Sequence, residues 1–314
     1  MTLPGRELLL DATKGAVLTL ALFLAYVTFP LVGLVPGILA PLPGVFYYLK
    51  RGAAAGLVTV AVTFAVLCAM DGLSTALLYM LQVGTLSILL PLFYRRGKGA
   101  AGAIASAVGI NFLLIVILAV GYANWSGMDL QGNILKGIDN SITQAISVYE
   151  KQGLKGEDLQ TISQGIRQAG SLIGRVFPSL LLVALGSMAA MNMALLFRIA
   201  GKHLPQLPMP ESFHQFRNPE PLVWVVIAAG FAMLLPYPDV TRIALNLLIV
   251  SGFAYFIQGL AVTMAFFRKI AVPSLVRVIF WLFLAFQPYM VLAVAIIGIF
   301  DIWGDFRTPR EKNL

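Results

Sequence analysis

Near the C-terminus of this 314-residue chain, the stretch GIFDIWGDFRTPR (298–310) carries two aspartates four residues apart, Asp301 and Asp305, framed by Trp303 and Phe306. On a helix, residues i and i+4 share a face, roughly 6 Å apart. Two carboxylates so placed can handle a proton or a cation. Neutralised by Arg307 or Arg310, they can instead clamp a helix end at a membrane boundary, where Trp303 and Phe306 suit the interfacial aromatic belt. Six amides form a second set: Gln82, Asn111, Asn192, Asn246, Gln258 and Gln287 each interrupt an apolar run. An amide in hydrocarbon is costly unless hydrogen-bonded, so each either ties helices together or helps line a polar cavity for a small uncharged or amphiphilic solute. Asp71 lies in a tight link between two apolar runs, and Asp239 lies with Arg242 in another. Both are expected as boundary caps, with a vestibule on the outer face as the alternative role.

Other chemistry is missing from the sequence. There is no G-x-x-x-x-G-K-[ST], no H-E-x-x-H and no G-x-S-x-G, which excludes ATP hydrolysis by the P-loop route and two common hydrolase designs. The only histidines, His203 and His214, fall in a polar connection with Arg217, Pro219 and Glu220, away from membrane depth, which argues against a bis-histidine haem. A metal site of both histidines with Glu211 or Glu220 is a weaker reading than a solvated basic loop. Cys68 is the one cysteine, so neither an intrachain disulfide nor a cysteine metal cluster can form. No nucleophile and base have useful spacing. The expectation is a protein without enzymatic activity, cofactor or metal.

The elements that must position these groups are membrane helices. Hydrophobic residues make up 59% of the chain and charged residues 11%, with a mean hydropathy of +0.86, far from the balance of a soluble domain. Several apolar runs reach the roughly 20 residues a helix needs to cross a bilayer, and none alternates like a barrel strand. The expected fold is all-α, a polytopic bundle of about eight to nine spans. Candidate spans are Ala16–Leu34, a short Gly37–Leu49, Gly52–Met70, Gly72–Tyr94, Ala100–Ala123, Val176–Ile199, Pro221–Leu235, Thr241–Phe267 and Ser274–Trp303. Pro30, Pro36, Pro41 and Pro43 rule out one straight helix over 16–49. The last run is longer than one crossing needs, and Pro288 is expected to break or kink it.

The clusters Lys50/Arg51, Arg95/Arg96/Lys98, Arg198/Lys202/Arg217 and Arg268/Lys269/Arg277 are separated by even numbers of crossings. The positive-inside rule places all four in the cytoplasm, and this explains the net charge of +8 better than nucleic-acid binding does. Between 124 and 175, on the outer face, apolar residues recur every three to four positions from Leu130 to Tyr149 and from Leu159 to Ile173. Two amphipathic helices are expected there, joined around KQGLKGED. The expected organisation is therefore N-terminal spans over 1–123, an extracytoplasmic hairpin over 124–175 and C-terminal spans over 176–314.

Three stretches, FRNPEPLVWVVIAAG (216–230), YFIQGLAVTMAFFRK (255–269) and GIFDIWGDFR (298–307), resemble in that order the YybS-like family of uncharacterised bacterial polytopic membrane proteins, as do YYLKRG and LFYRRG in the first half. That family is in turn distantly similar to the S components of energy-coupling-factor vitamin transporters. The resemblance implies a multi-pass protein of the bacterial inner membrane that binds or moves a small solute with separate ATPase and coupling subunits. The missing P-loop fits that role. The rival expectation is a non-transporting scaffold that binds other membrane proteins through the hairpin and small-residue faces such as Gly52/Gly56 and Ala105/Gly109.

Overall fold

Glycines and prolines cut the apolar runs into helices. The computed structural model describes residues 3–29, 32–209, 212–304 and 306–307, and no strand occurs among them. The helices are α1 (Leu3–Thr28), α2 (Leu34–Ile38), α3 (Leu42–Arg51), α4 (Ala53–Asp71), α5 (Leu73–Tyr79), α6 (Thr85–Arg95), α7 (Gly99–Ser126), α8 (Leu130–Lys151), α9 (Gly156–His203), α10 (Leu222–Ala232), α11 (Pro238–Lys269), α12 (Ser274–Phe286) and α13 (Pro288–Gly304). A π-helical turn, Met80–Gly84, joins α5 to α6. Among the described residues, six helices are long and apolar enough to cross a membrane, or seven if the bent pair α12 and α13 is one span. The protein is a multi-pass helical membrane protein.

The difference from eight to nine spans has a local cause. Gly37–Leu49 forms no span, because Pro36, Pro41 and Pro43 leave only the five residues of α2 and the ten of α3. Residues 221–235 yield the eleven-residue α10, about 16 Å long at ~1.5 Å per residue, against a ~30 Å hydrocarbon core. At Pro288 the last run turns by 108°. The expected hairpin also changes form. Its first arm is α8, and its second arm continues without a break into the next span as the 48-residue α9. That helix is roughly 70 Å long, more than twice the ~30 Å of a hydrocarbon core.

The chain divides into two compact units. Unit 1 comprises Met1–Ile134 and Ala184–Pro210, and unit 2 comprises Leu135–Val183 and Glu211–Leu314. In unit 1, α1 packs on α3 and α4, and α6 packs on α3 and α7. The core holds Phe23, Ala40, Val60, Leu67, Ala76, Tyr79 and Val83. The start of α1 is tied to the end of α3: Asp11 pairs with Lys50 at 3.1 Å and Arg51 at 2.7 Å, and Glu7 with Arg51 at 3.0 Å. The hydrogen bond to Asp11 raises the Arg51 pKa above its ordinary value. The N-terminus and the Lys50/Arg51 cluster therefore share one end of the unit, as the prolines in 16–49 require.

In unit 2, α10 and α13 pack on α11. Glycine allows the closest approach. A methyl group on Gly259 would lie 1.8 Å from the Val294 carbonyl oxygen, and one on Gly298 would lie 2.0 Å from that of Tyr255. Arg268, at the end of α11, reaches the His214 ring at 3.0 Å, while Arg307, just beyond α13, donates to the carbonyls of His214 and Phe216 at 3.0 and 2.8 Å. Gly259 faces Val294 while Tyr255 faces Gly298, so α13 runs antiparallel to α11. The chain leaves the basic end of α11 through α12, where Phe280 meets Phe267 at 5.2 Å, bends by 108°, and returns along α11 as α13.

Candidate functional site

Asp301 lies at the centre of a bonded polar cluster in unit 2. Its side chain is wholly buried against the Arg307 guanidinium, which donates from Nη2 to Oδ2 at 2.6 Å and from Nε to Oδ1 at 3.3 Å. Gln258 on α11 adds an Nε2 donor to Oδ2 at 3.0 Å. The Gln258 carbonyl accepts from the Asn218 backbone amide at 2.9 Å, and Asn218 donates from its own side chain to the Ala254 carbonyl at 2.8 Å. Side chains and carbonyls from 214–218, 254–258 and 301–307 thus close on each other. A cation would have to displace Arg307 to reach the carboxylate. The second aspartate, Asp305, lies outside the described residues, and α13 stops before it at Gly304.

Asn246 has a different use. Pro178 sits inside α9, where its ring disrupts the preceding turn. The Asn246 amide reaches into that disturbed turn from α11, accepting from the Ser179 backbone amide at 3.0 Å and donating to the Arg175 carbonyl at 2.9 Å. It donates as well to Arg242 of its own helix at 2.8 Å. Beside it opens a cleft of about 580 Å³ lined by Pro178, Ser179, Asp239, Arg242 and Asn246, with Leu182, Ile243, Leu247 and Val250 as its apolar wall. Asp239 and Arg242 are exposed at the start of α11. Neither charged group has a hydrogen-bond or ion-pair partner among the described residues.

Unit 1 treats its amides unequally. Asn192 is buried and donates to the carbonyls of Ile38 at 2.6 Å and Met188 at 2.7 Å, anchoring the proline-broken α2; its Oδ1 has no partner. Asn111 is wholly buried on α7 with neither amide atom bonded among the described residues. The Thr19 and Tyr79 hydroxyls are likewise buried and unpaired. Tyr79 meets Phe23 edge to face at 5.4 Å, immediately before the π-helical turn that carries the half-buried Gln82. Gln287 is exposed at the joint of α12 and α13. Asp71 caps its link by accepting from Thr75 Oγ1 at 2.7 Å. His203 packs edge-on against Phe46, His214 faces Arg268, and no group of three potential metal ligands occurs among the described residues.

Sequence reasoning did not find the Gln258–Asp301 bond, the Asn246 repair or the Gly259/Gly298 contact, which join residues 35 to 71 positions apart. Two expected outcomes follow. Removing one partner of a buried ion pair costs about 3–5 kcal/mol because the other charge is stranded. Asp301→Ala and Arg307→Ala should each lower unfolding stability in detergent by that amount, and the double variant Asp301→Leu/Arg307→Met should cost less than either. The two asparagines should respond with opposite sign. Asn246→Leu orphans a backbone amide and carbonyl, at about 1–3 kcal/mol each, whereas Asn111→Leu removes unsatisfied atoms and should be neutral or stabilising. Thermal unfolding of the two variants side by side checks this.

Comparison with known proteins gives a consistent family. The model described as "Predicted membrane protein (DUF2232)" matches residues 17–302. The uncharacterised protein YybS of Bacillus subtilis (strain 168) is 23% identical over 302 residues, covering 94% of this chain and 96% of that protein. No solved structure matches. The family match takes in every described helix from α2 to α12 whole, together with Asp301, and the chain belongs to the DUF2232 family of membrane proteins.

Proposed function

We propose that this protein is a solute-capture component of the bacterial inner membrane, which takes a small amphiphilic solute from the outer face and relies on separate ATPase and coupling subunits to move it. The observation that carries this reading is the cleft at Pro178. Its volume of about 580 Å³ lies within the roughly 300–1,000 Å³ of small-molecule sites, and its lining follows their pattern of an apolar wall with a few polar groups. The wall of Leu182, Ile243, Leu247 and Val250 suits a hydrocarbon portion, while Asp239 and Arg242 offer one charge of each sign at the rim. By the distribution of basic residues, the start of α11 lies on the outer side. Helices interrupted at membrane depth are common where transporters hold their substrates. The chain lacks a P-loop, so any energy must come from elsewhere.

The test is a thermal-shift screen of vitamins, nucleobases and amphiphilic amino acids against the purified protein, followed by uptake into proteoliposomes with and without coupling subunits. A stabilising compound should lose its effect in Asp239→Asn and Arg242→Gln, by about tenfold in affinity for one lost charge-assisted contact. Both residues are exposed, so both variants should fold normally. No shift from any compound, and no uptake, would sink the reading. If instead membrane proteins co-purify and are lost on deleting residues 128–170, the scaffold alternative takes its place.

A further inference from the structure

The connection before α10 runs deeper than its polar composition suggests. Asn218 donates to the Ala254 carbonyl and to the Gln258 side chain, which fixes the segment against the middle of α11. The apolar part of that helix, 243–267, measures about 37 Å at ~1.5 Å per residue, enough to span a ~30 Å hydrocarbon core with residues 254–258 near its centre. Glu220 follows Asn218 by two residues, which reach at most ~7 Å, so it stands within that depth. It is exposed and has no hydrogen-bond or ion-pair partner among the described residues. A groove of about 390 Å³ between α10 and α13 opens beside it, lined by Trp224, Trp303, Val223, Ile227 and Ile302. We propose that this groove binds a small organic amine, a protonated amino group on a compact apolar body. The site is separate from the Pro178 cleft and does not depend on the solute reading.

Depth and charge select a cation. A carboxylate in hydrocarbon is costly unless a partner or a cavity answers it, and the groove offers nothing to hold an anion instead. The amides of Leu222, Val223 and Trp224 already donate to the carbonyls of Pro219, Glu220 and Pro221, and Pro221 has no amide hydrogen. The walls then decide between a metal ion and an organic cation. A hard metal ion takes about six oxygen ligands, whereas here one carboxylate faces indole and aliphatic surface. Indole is the ring that holds a cation best on its face. An amino group with N–H donors also hydrogen-bonds the carboxylate, which a quaternary ammonium cannot do.

Dimensions select a small molecule. Glu220 and Ile227 bound the groove along α10, about 10 Å apart by helical rise, and its volume falls within the roughly 300–1,000 Å³ of small-molecule sites. A partner helix needs a longer track, since α10 has only eleven residues. The two indoles are not membrane-surface anchors either. Trp303 follows Asp301, whose bond to Gln258 sets it level with the middle of α11, away from the interfacial belt where tryptophan collects.

Calorimetric titration of the protein in phosphatidylcholine nanodiscs, with the heat of empty nanodiscs subtracted, tests the assignment. The probes are phenethylamine, 2-phenylethanol and phenethyltrimethylammonium, which share one apolar body. Phenethylamine should bind about tenfold more tightly than the alcohol, the ratio that ~1.4 kcal/mol of charge-assisted and cation–π preference gives, and more tightly than the quaternary analogue. Glu220→Gln should remove the difference between amine and alcohol. Trp224→Leu should weaken the amine severalfold, while Trp224→Phe should keep part of the affinity. Both positions are exposed, and an unchanged thermal midpoint in each variant verifies that folding is intact. No saturable heat from the amine, equal affinity for amine and alcohol, or a preference that survives both Glu220→Gln and Trp224→Leu would overturn the proposal. So would a membrane protein that co-purifies with the parent and is lost in Glu220→Gln, since the carboxylate then answers a partner's basic side chain.

Discussion

In hydrocarbon no water is at hand to satisfy a backbone amide or carbonyl that loses its helical partner, so each must find a donor or acceptor within the protein. Much of this molecule's polar interior is arranged by that constraint. Its apolar segments are rich in proline, and each break leaves backbone groups to be met. Asn192 meets the Ile38 carbonyl after Pro36, and Asn246 serves both Ser179 and Arg175 around Pro178. At the end of α6, the Tyr94 hydroxyl reaches the carbonyl of Pro208. Three of the six side-chain amides that look like ligand contacts in the sequence, Asn192, Asn246 and Gln258, are thus committed to groups of the protein. What remains for a solute is the smaller set of groups that the backbone does not claim.

The same logic joins the three stretches that carry the family resemblance. FRNPEP, YFIQGLA and FDIWGDFR are far apart in the chain, yet in unit 2 Asn218, Gln258, Asp301 and Arg307 form one bonded set. Each member needs the others. Without Arg307 the carboxylate is a stranded charge, and without Gln258 the Asn218 amide loses its acceptor. Close approach of α11 and α13 at Gly259 and Gly298 brings Gln258 within reach of Asp301, so the glycines and the polar groups form one requirement. This set ties the end of α13 and the segment before α10 to the middle of α11.

The helical class and most helix boundaries are legible because they rest on local signals: apolar length and glycine and proline positions. Span count was less legible, since a hydropathy window measures length and not path. Residues 37–49 and 274–303 are apolar enough, but the first is too cut by prolines to cross and the second bends by 108° after Phe286. The second amphipathic arm was expected to stop near Ile173, yet nothing before Pro178 breaks a helix, and at Pro178 a distant asparagine repairs it. The i, i+4 reading of Asp301 and Asp305 assumed a helix running through both, whereas α13 ends at Gly304 and Arg307 turns back onto Asp301. Pairings of this kind depend on which helices adjoin, which one sequence does not state. The π-helical turn after Tyr79 has no composition signal of its own.

The contrast between two acid–base pairs carries the functional reading furthest. Asp301 and Arg307 bond each other out of contact with solvent, and their capacity for interaction is used up. Asp239 and Arg242 share the start of α11 and a cleft, but no bond joins them. Asp239 is well placed there whatever else it does, because a helix N-terminus favours negative charge. Arg242 gains nothing from that field and has no partner to offset it. A cation held just inside the positive end of a helix, beside an apolar wall, is easier to understand as a group awaiting an anion than as part of the packing.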